Sequence, residues 1–577
     1  MSIKPYKDFQ PPWVTESAPK KSYRSLFRWG DPEFIKYPKE TLYKLLKERC
    51  AMTDEDFKTY SYNGSIGFEE VKLSTPPKID EKHVEAMRNI VGKDFISQDD
   101  YSRLSVSKGF SAYDQMRLRE KSFENVCDLV VYPESHEQIV KIVDYCAKEK
   151  IPLYVYGGGS SVTRGLEPVK GGITLDMRLR FNKVIDFNEI DQTITVQAGM
   201  SGPLLEKTLN EAQFNFKAKR AYTCGHFPQS FEFSSVGGWV VTRGAGQNST
   251  YYGTIADIVL GQRYATPIGE IKTSSYPREA TGPNLNQIMM GGEGTFGVLT
   301  EVTLKIFRYM PENRKRFSFM FHNWEDGMAA AREMMQCECG FSSVFRLSDP
   351  EETNMMLRLY NVDESPLRYI LGGYKDMERC LFLGFTDGEK GFSANVAKNI
   401  ARIAKKHGGR SLTGLVCKSW EHGRFTDPYL RDVMMDFGVV TDTFECTVNW
   451  SNMAKVHEEM RKICHARPNT IVTTHMSHCY PQGANLYFII ITKMEKSKEF
   501  FQYVQTILHG IQNSGAAMSH HHGIGKMFAP FLEDTLGKNE YGIFRALKNY
   551  FDKDFILNPG GTIGLDLKDS EKVKKDK

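Results

Sequence analysis

Three stretches of small residues constrain this chain more than anything else in it: YGGGSSVTRG (156–165), FEFSSVGGWVVTRGAG (231–246) and MGGEGTFGVLTEVTLKI (290–306). The first follows the β-rich run IPLYVY, and the third ends in another β-rich run. Glycine removes side-chain bulk and frees φ, so consecutive amides can close around an anion. One such loop is equally a turn. Three of them between residues 156 and 306, each long for a structural connection, point to one extended ligand lying along them. A dinucleotide such as FAD has the right length and a diphosphate at its centre. The first loop matches neither G-x-x-x-x-G-K-[ST] nor G-x-G-x-x-G, which argues against a P-loop and against a Rossmann site.

Around these loops the texture changes several times. Residues 1–95 are polar and proline-interrupted, with one helix expected in PKETLYKLLKERC, and read as an N-terminal extension. From 96 to 310 the pattern is strand, helix, strand, glycine loop. CDLVVYP leads into SHEQIVKIVDYCAKEK, where Ser135 stands at the N-cap and Gln138 at capping-box spacing. Ile139, Ile142, Val143 and Cys146 recur at helical spacing. The pattern resets at 311–510, where helices such as WEDGMAAAREMMQC alternate with strands such as FECTVNW and ANLYFIIIT. Residues 511–567 return through a histidine triplet and a helix to FILNPGG, and 568–577 form a charged tail.

Bulk properties exclude several classes. Net charge is +4 from 75 basic and 71 acidic residues, too balanced to argue for nucleic acid. The 11 cysteines contain no CxxC pair and read as mostly reduced thiols. The longest apolar run, LYFIII (486–491), is a strand, far short of the roughly 18 residues that span a bilayer. KKSYRSLFRW (20–29) is basic and aromatic: either an arm packed on the body or a membrane-surface contact.

Taken jointly, PLYVYGGGSSV, SSVGGWV, GGEGTFGVLTEVTLKI and FILNPGG resemble the FAD-binding domain of the vanillyl-alcohol-oxidase-type flavoproteins. The resemblance implies an α+β fold. A two-subdomain FAD-binding (PCMH-type) domain would carry an α+β substrate or cap domain and a helical N-terminal extension. It also implies diphosphate contacts from Gly157, Gly158, Gly159, Ser160 and Ser161, and flavin-proximal roles for Ser235, Gly238, Thr242, Glu293 and Thr295. Some members attach FAD through a histidine in the first loop. None lies between 151 and 172, so non-covalent FAD is expected.

MSHHHGIGK (518–526) places three of the chain's 14 histidines in a row. Consecutive residues are poorly placed to converge on one tetrahedral ion, so no metal is expected. Imidazoles titrate near neutrality, so an acid–base and anion-binding strip remains, beside a plain surface cluster. SHHHGIGK resembles the alkyldihydroxyacetonephosphate synthase (alkylglycerone-phosphate synthase) family, as do GHFPQSFEFSSVGGW, VFRLSD, YLRD and GANLYF. That resemblance implies catalytic roles for Tyr487, His520, His521, His522 and Arg346, and substrate binding by Arg431. Gln229 departs from the family's usual aspartate, and RGAGQNSTYYGTIADI (243–258) departs from its commoner form.

The reaction so implied exchanges the acyl group of acyl-dihydroxyacetone phosphate for a fatty alcohol through a flavin N5 adduct, giving an ether-lipid precursor. Tyr487 is expected as the base, its pKa lowered by nearby cations, with Arg431 and the histidines on the phosphate and Arg346 on the departing carboxylate or enolate. The alternative on the same scaffold is a D-2-hydroxy-acid dehydrogenase of D-lactate or glycolate type. A homodimer is expected, with peripheral membrane contact and no nucleic-acid partner. Eukaryotic members of the family work in peroxisomes. With no S-K-L-like terminus, a cytoplasmic, membrane-peripheral location is expected here.

Overall fold

The computed structural model describes residues 7–31, 33–62, 65–362, 371, 373–561 and 563–576. The N-terminal 95 residues pack in three places, one of which joins Tyr23, Leu26, Phe27 and Val71 to Leu104, Leu118 and Val126. The arm and helix α1 (Glu40–Arg49) pack Phe9, Leu42, Leu46 and Phe57 against Val433, Phe437, Ile471 and Ile491, far along the chain. Helix α2 (Glu81–Val91) instead buries Val84, Met87 and Val91 in the core of the first sheet. Its i, i+3, i+7 apolar stripe was readable as a helix. The reading of 1–95 as a single one-helix extension is corrected accordingly. Tyr23, Phe27 and Trp29 of the arm are buried, so KKSYRSLFRW packs on the body and its aromatics are not offered to a membrane.

The first sheet holds β1 (Ile96–Ser97), β2 (Leu129–Val131), β3 (Leu153–Tyr156) and β4 (Ile173–Asp176) in the order β1-β2-β4-β3. Strands β2 and β3 both run parallel to β4. Helix α3 (His136–Glu149) crosses between β2 and β3, its stripe of Ile139, Ile142, Val143 and Cys146 fully buried. Ser135 Oγ accepts the Gln138 amide at 3.3 Å, as an N-cap should. The Gln138 side chain accepts instead from the Glu134 amide, one residue before the cap, at 2.9 Å. FILNPGG completes this sheet: Leu557 bridges β3 in parallel, with Leu153 N donating to Ile556 O at 2.8 Å.

A second, antiparallel sheet has the order β5-β6-β9-β7-β8, from β5 (Val184–Asn188), β6 (Thr193–Gln197), β7 (Val259–Thr266), β8 (Gly269–Lys272) and β9 (Val298–Lys305). Strand β7 lies between the second and third glycine stretches, where no strand was singled out from sequence. It hides a polar residue, Gln262, whose amide nitrogen donates to Asn286 and whose oxygen accepts from Tyr264, so its apolar alternation is masked. The short helix α4 (Val236–Val241) sits beside this sheet.

The third sheet has seven strands in the order β13-β10-β12-β11-β15-β16-β14. They are β10 (Lys315–Phe321), β11 (Val344–Ser348), β12 (Cys380–Thr386), β13 (Arg410–Ser411), β14 (Val439–Asn449), β15 (Thr470–Tyr480) and β16 (Gly483–Lys493). Helices α5 (Pro350–Leu359), α6 (Leu430–Asp436) and α7 (Ser497–Ser514) pack around it. One face carries Cys446, Met476, Leu486 and Phe488 into the largest core. Ala112 and Met116, expected in the first domain, also enter that core. On the opposite face the register sets Glu445 beside Tyr487, and Tyr487 beside His475. Period-two alternation makes these three polar residues neighbours on one surface. Helices α8 (Gly525–Leu536) and α9 (Lys538–Phe551) then lead back to the FAD-type domain. All 11 cysteines are free thiols.

Candidate active site

One cavity separates two unlike walls. The first wall is backbone. After β3 the loop Gly157–Ser161 turns under the 233–235 segment so closely that a Cβ on Gly158 would overlap the Phe233 carbonyl oxygen. Gly159 takes φ +78°, and a side chain there would overlap the Tyr156 hydroxyl. Among the described residues, the amides of Gly158, Gly159, Ser160 and Ser161 have no intrachain partner. Such a row of free donors along the cavity suits a diphosphate. Ser235 caps α4, its Oγ accepting the Gly238 amide at 3.2 Å, and the Thr242 hydroxyl donates to the Gly238 carbonyl at 2.9 Å. Gly238 and Thr242 line the cavity. The cradle therefore fits the diphosphate and one edge of FAD.

Glu293 lines the cavity too, and Thr295 does not. Glu293, held at φ +44°, accepts from the Ile524 amide at 2.6 Å and the Gly525 amide at 2.9 Å, tying the start of α8 to the third glycine loop. Thr295 is buried outside the lining, and its carbonyl accepts from Lys548 Nζ at 2.9 Å.

The second wall is side chain. The Glu445 carboxylate accepts from the Ser519 hydroxyl at 2.9 Å and from the amides of His520, His521 and His522, each at 3.0 Å. The backbone of the triplet is consumed by one buried carboxylate, which turns the imidazoles outward. His521 and His522 line the cavity; His520 is set back, its Nε2 2.7 Å from the Tyr480 hydroxyl and its Nδ1 3.1 Å from His521 Nδ1. Tyr487 lies between rings, with His475 stacked at 4.9 Å and His521 at 5.9 Å. Arg431, on α6, reaches the same wall beside Thr443.

Glu445, His520 and His521 bring ligand atoms within 4.8 Å of one another, closer than adjacency along the backbone led us to expect. The carboxylate is nonetheless saturated by four donors, and both ring nitrogens of His520 are engaged. Binding a cation there would require breaking that anchor.

Burial sets the electrostatics. It depresses the pKa of all three triplet imidazoles; His522 adds to this for His520, His522 and His520 add to it for His521, and Arg431 adds to it for His522, against the pull of Glu445 on His520 and His522, so they are neutral near pH 7. Burial pushes the Glu445 carboxyl up, but His522, His520 and the amides outweigh it and hold it below the ordinary range. Tyr487 was expected to be acidified by cations. Burial instead pushes it up to about 12, against a hydrogen bond from Thr443 and the field of Arg431. Arg346 does not line the cavity. It lies behind Tyr487, paired with Glu352 and 3.0 Å from His475 Nε2, so it acts on the site through His475.

Several residues of the site were not singled out from sequence. Glu445 and His475 face it only through register across strands distant in the chain. His226, within GHFPQSFEF, lines the cavity with both ring nitrogens unpartnered, and burial drives its pKa down to about 3. A histidine inside a quoted motif was the available signal. Gln229 also lines the cavity, donating to the Arg424 carbonyl and accepting from Gln247 at 2.7 Å.

The FAD binding domain family matches residues 127–275, and the family "FAD linked oxidases, C-terminal domain" matches residues 310–562. Over 496 residues the chain is 30% identical to the alkyldihydroxyacetonephosphate synthase of Caenorhabditis elegans, covering 80% of each chain. The chain belongs to the alkyldihydroxyacetonephosphate synthase family. The synthase of Dictyostelium discoideum is 28% identical over 559 residues, 92% of this chain and 88% of that one. A solved alkyldihydroxyacetonephosphate synthase shares the fold, with a TM-score of 0.79 at 24% identity over 93% of this chain and 99% of that one. Hydroxy-acid-oxidising flavoproteins are more distant: the mitochondrial D-lactate dehydrogenase of Arabidopsis thaliana is 24% identical over 76% of this chain and 74% of that one. The chain is thus an FAD-dependent enzyme of the synthase family, on the α+β, two-domain scaffold expected.

Proposed function

We propose that the protein exchanges the acyl group of acyl-dihydroxyacetone phosphate for a long-chain fatty alcohol, giving alkyl-dihydroxyacetone phosphate and a fatty acid. One observation carries this reading: Tyr487, His521, His522 and Arg431 converge on the cavity wall that faces the glycine cradle. Bound FAD supplies an electron-accepting ring that stabilises negative charge on substrate carbon. The free amides of Gly158–Ser161, with Gly157 before them, would hold its diphosphate; Ser235, Gly238 and Thr242 would border its track. Arg431 holds the substrate phosphate as a charge-assisted donor. A buried neutral imidazole, His521 or His522, accepts the proton from C1 and returns it to C1 after the bond from C1 to the acyl oxygen has broken, the carboxylate has left and the alcohol oxygen has bonded to C1, with His520 and Tyr480 behind it to share the charge. Tyr487, protonated at neutral pH, donates a hydrogen bond to the reacting oxygens, with Thr443 beside it and His475, set by Arg346 and Glu352, at its back. The incoming alcohol gives up its proton to the same strip.

Flavin attachment is non-covalent, as the histidine-free first loop supports: acid precipitation should release all the yellow chromophore into the supernatant. A homodimer, peripheral membrane contact and a cytoplasmic location complete the proposal. Two long-chain substrates support the membrane contact. Among the described residues no helix is long and apolar enough to cross a membrane. The decisive assay incubates flavin-loaded protein with palmitoyl-dihydroxyacetone phosphate and labelled hexadecanol. Labelled ether product is expected, with no flavin bleaching by anaerobic D-lactate or glycolate. Bleaching without ether product would establish the dehydrogenase instead.

A further inference from the structure

The N-terminal arm reaches the cavity. Trp29 is part of its lining, packed edge-on against Phe233 at 4.8 Å and Phe110 at 5.6 Å. The Arg431 guanidinium lies 5.5 Å from the Trp29 ring centroid. It donates one N–H to the Phe110 carbonyl at 3.1 Å and stands 3.7 Å from Asp442. The Asp442 oxygens already accept from the amides of Thr443 at 2.9 Å and Ala112 at 3.1 Å. Arg431 therefore keeps most of its donors for something else on the cavity side.

The same arm grips the element that carries Arg431. Arg24 donates to Asp436 at 2.6 Å with both side chains buried. The Trp29 amide donates to Asp432 at 3.0 Å, and the Asp31 amide to the Tyr429 hydroxyl at 2.8 Å. That hydroxyl in turn donates to Glu232 at 2.8 Å, beside the second glycine loop. Between Trp29 and Asp31, Gly30 sits at φ +59°, and a Cβ there would overlap the Tyr429 hydroxyl. Only glycine lets the arm's backbone come this close to the residue two places before Arg431. An arm that only covered apolar surface needs neither the buried charge pair nor the glycine contact.

We propose that Trp29 and Gly30 are positioning residues of an anion subsite at Arg431, so that the N-terminal arm is part of the machinery that binds the phosphate monoester of a small ketone. The ring offers its face to the guanidinium, and the glycine sets the position of α6. This rests on the reading of Arg431 as the phosphate holder.

Flavin-loaded, full-length protein is titrated calorimetrically with dihydroxyacetone phosphate, with flavin occupancy and Tm recorded for each variant. Trp29→Leu and Gly30→Ala should each weaken binding by about tenfold or more, in line with a desolvated cation–π contact and a displaced helix. Trp29→Phe should bind nearly as the wild type, which separates loss of the ring's face from a general packing defect. In turnover, KM for the phosphate substrate should rise while KM for the fatty alcohol stays put. Wild-type binding that falls with Arg431→Gln but not with Trp29→Leu or Gly30→Ala overturns the arm's role alone. No binding by the wild type, or binding indifferent to Arg431→Gln, overturns the phosphate assignment and the arm's role with it.

Discussion

The two walls of the cavity are built on opposite principles. The cradle presents backbone: four unpartnered amides on a loop of glycine and serine, where side chains are excluded by contact with Phe233 and Tyr156. The facing wall presents side chains, and its own backbone is tied off by Glu445 and Glu293. A cofactor that stays in place is served by fixed dipoles, which hold charge without titrating. Chemistry that moves protons needs groups that titrate, and these are held neutral by burial. The comparison predicts that damage to the first wall removes the cofactor, while damage to the second leaves the cofactor and removes turnover.

The largest effect should come from Gly158→Val. Its side chain must displace the Phe233 carbonyl, so the free amides lose their alignment. Purified variant should carry almost no flavin and make no ether product, with far-UV circular dichroism preserved. A variant that retains full flavin and activity would show that the cradle is not where the diphosphate lies.

Tyr487→Phe comes next and tests the second wall. The ring stays between His475 and His521, so stability and flavin content should hold. Turnover should fall by about 10²–10⁴, the usual weight of a group acting in proton transfer or oxyanion support. Equal turnover by the variant would remove Tyr487 from the chemistry. Glu445→Gln should be milder. The amide side chain can keep its oxygen where Oε1 accepts from Ser519 and the three amides, but it puts donors where Oε2 accepts the His520 amide at 2.7 Å, a clash of donors that costs about 1–3 kcal/mol. Turnover should drop by about 10- to 100-fold with the flavin still bound, accompanied by a lower Tm.

This contrast also explains what could be read in the sequence. The cradle is local: its glycines and serines are consecutive, so composition alone marked the loops, and FILNPGG fell beside β3 as the family pattern implied. The second wall is assembled from β14, β15, β16, α6 and the 519–525 loop. Glu445 gave no local sign of its role, because "FECTVNW" reads as a strand whichever partner it has. His475 and Tyr487 become neighbours only through register. Tyr487 and Arg431 were singled out through family resemblance, and the triplet by its own run of three histidines, sharpened by that resemblance. Their protonation was not, because burial overrides the field of nearby arginines and no sequence pattern reports depth. The arm's aromatic and basic residues suit packing on the body or a membrane surface, and the burial of Arg24 and Trp29 decides for packing.

The smallest effect is on stability against pH, and it follows from neutrality at the second wall. A histidine whose pKa is depressed on folding binds fewer protons folded than unfolded, so acid opposes folding. Its contribution is complete above the ordinary value of about 6.5 and is lost as pH falls towards the folded value, about 3 for His226. His475, His478 and the triplet act in the same direction. Glu445, held below its ordinary value, adds to the loss at lower pH. Asp442 opposes, since burial pushes it up to about 6 and the folded state then gains on acidification between that value and 3.8. Burial pushes Asp432 up as well, and two opposing carboxyls against six imidazoles leave a net fall. Tm should drop by a few degrees between pH 7 and pH 5, and His226→Asn should flatten that slope. Saturating dihydroxyacetone phosphate should flatten it further, because an anion at the strip favours charged imidazoles. A Tm that instead rises from pH 7 to pH 5 would mean that the imidazoles are already protonated in the folded protein, and that the second wall holds a fixed positive field, much as the first wall holds fixed dipoles.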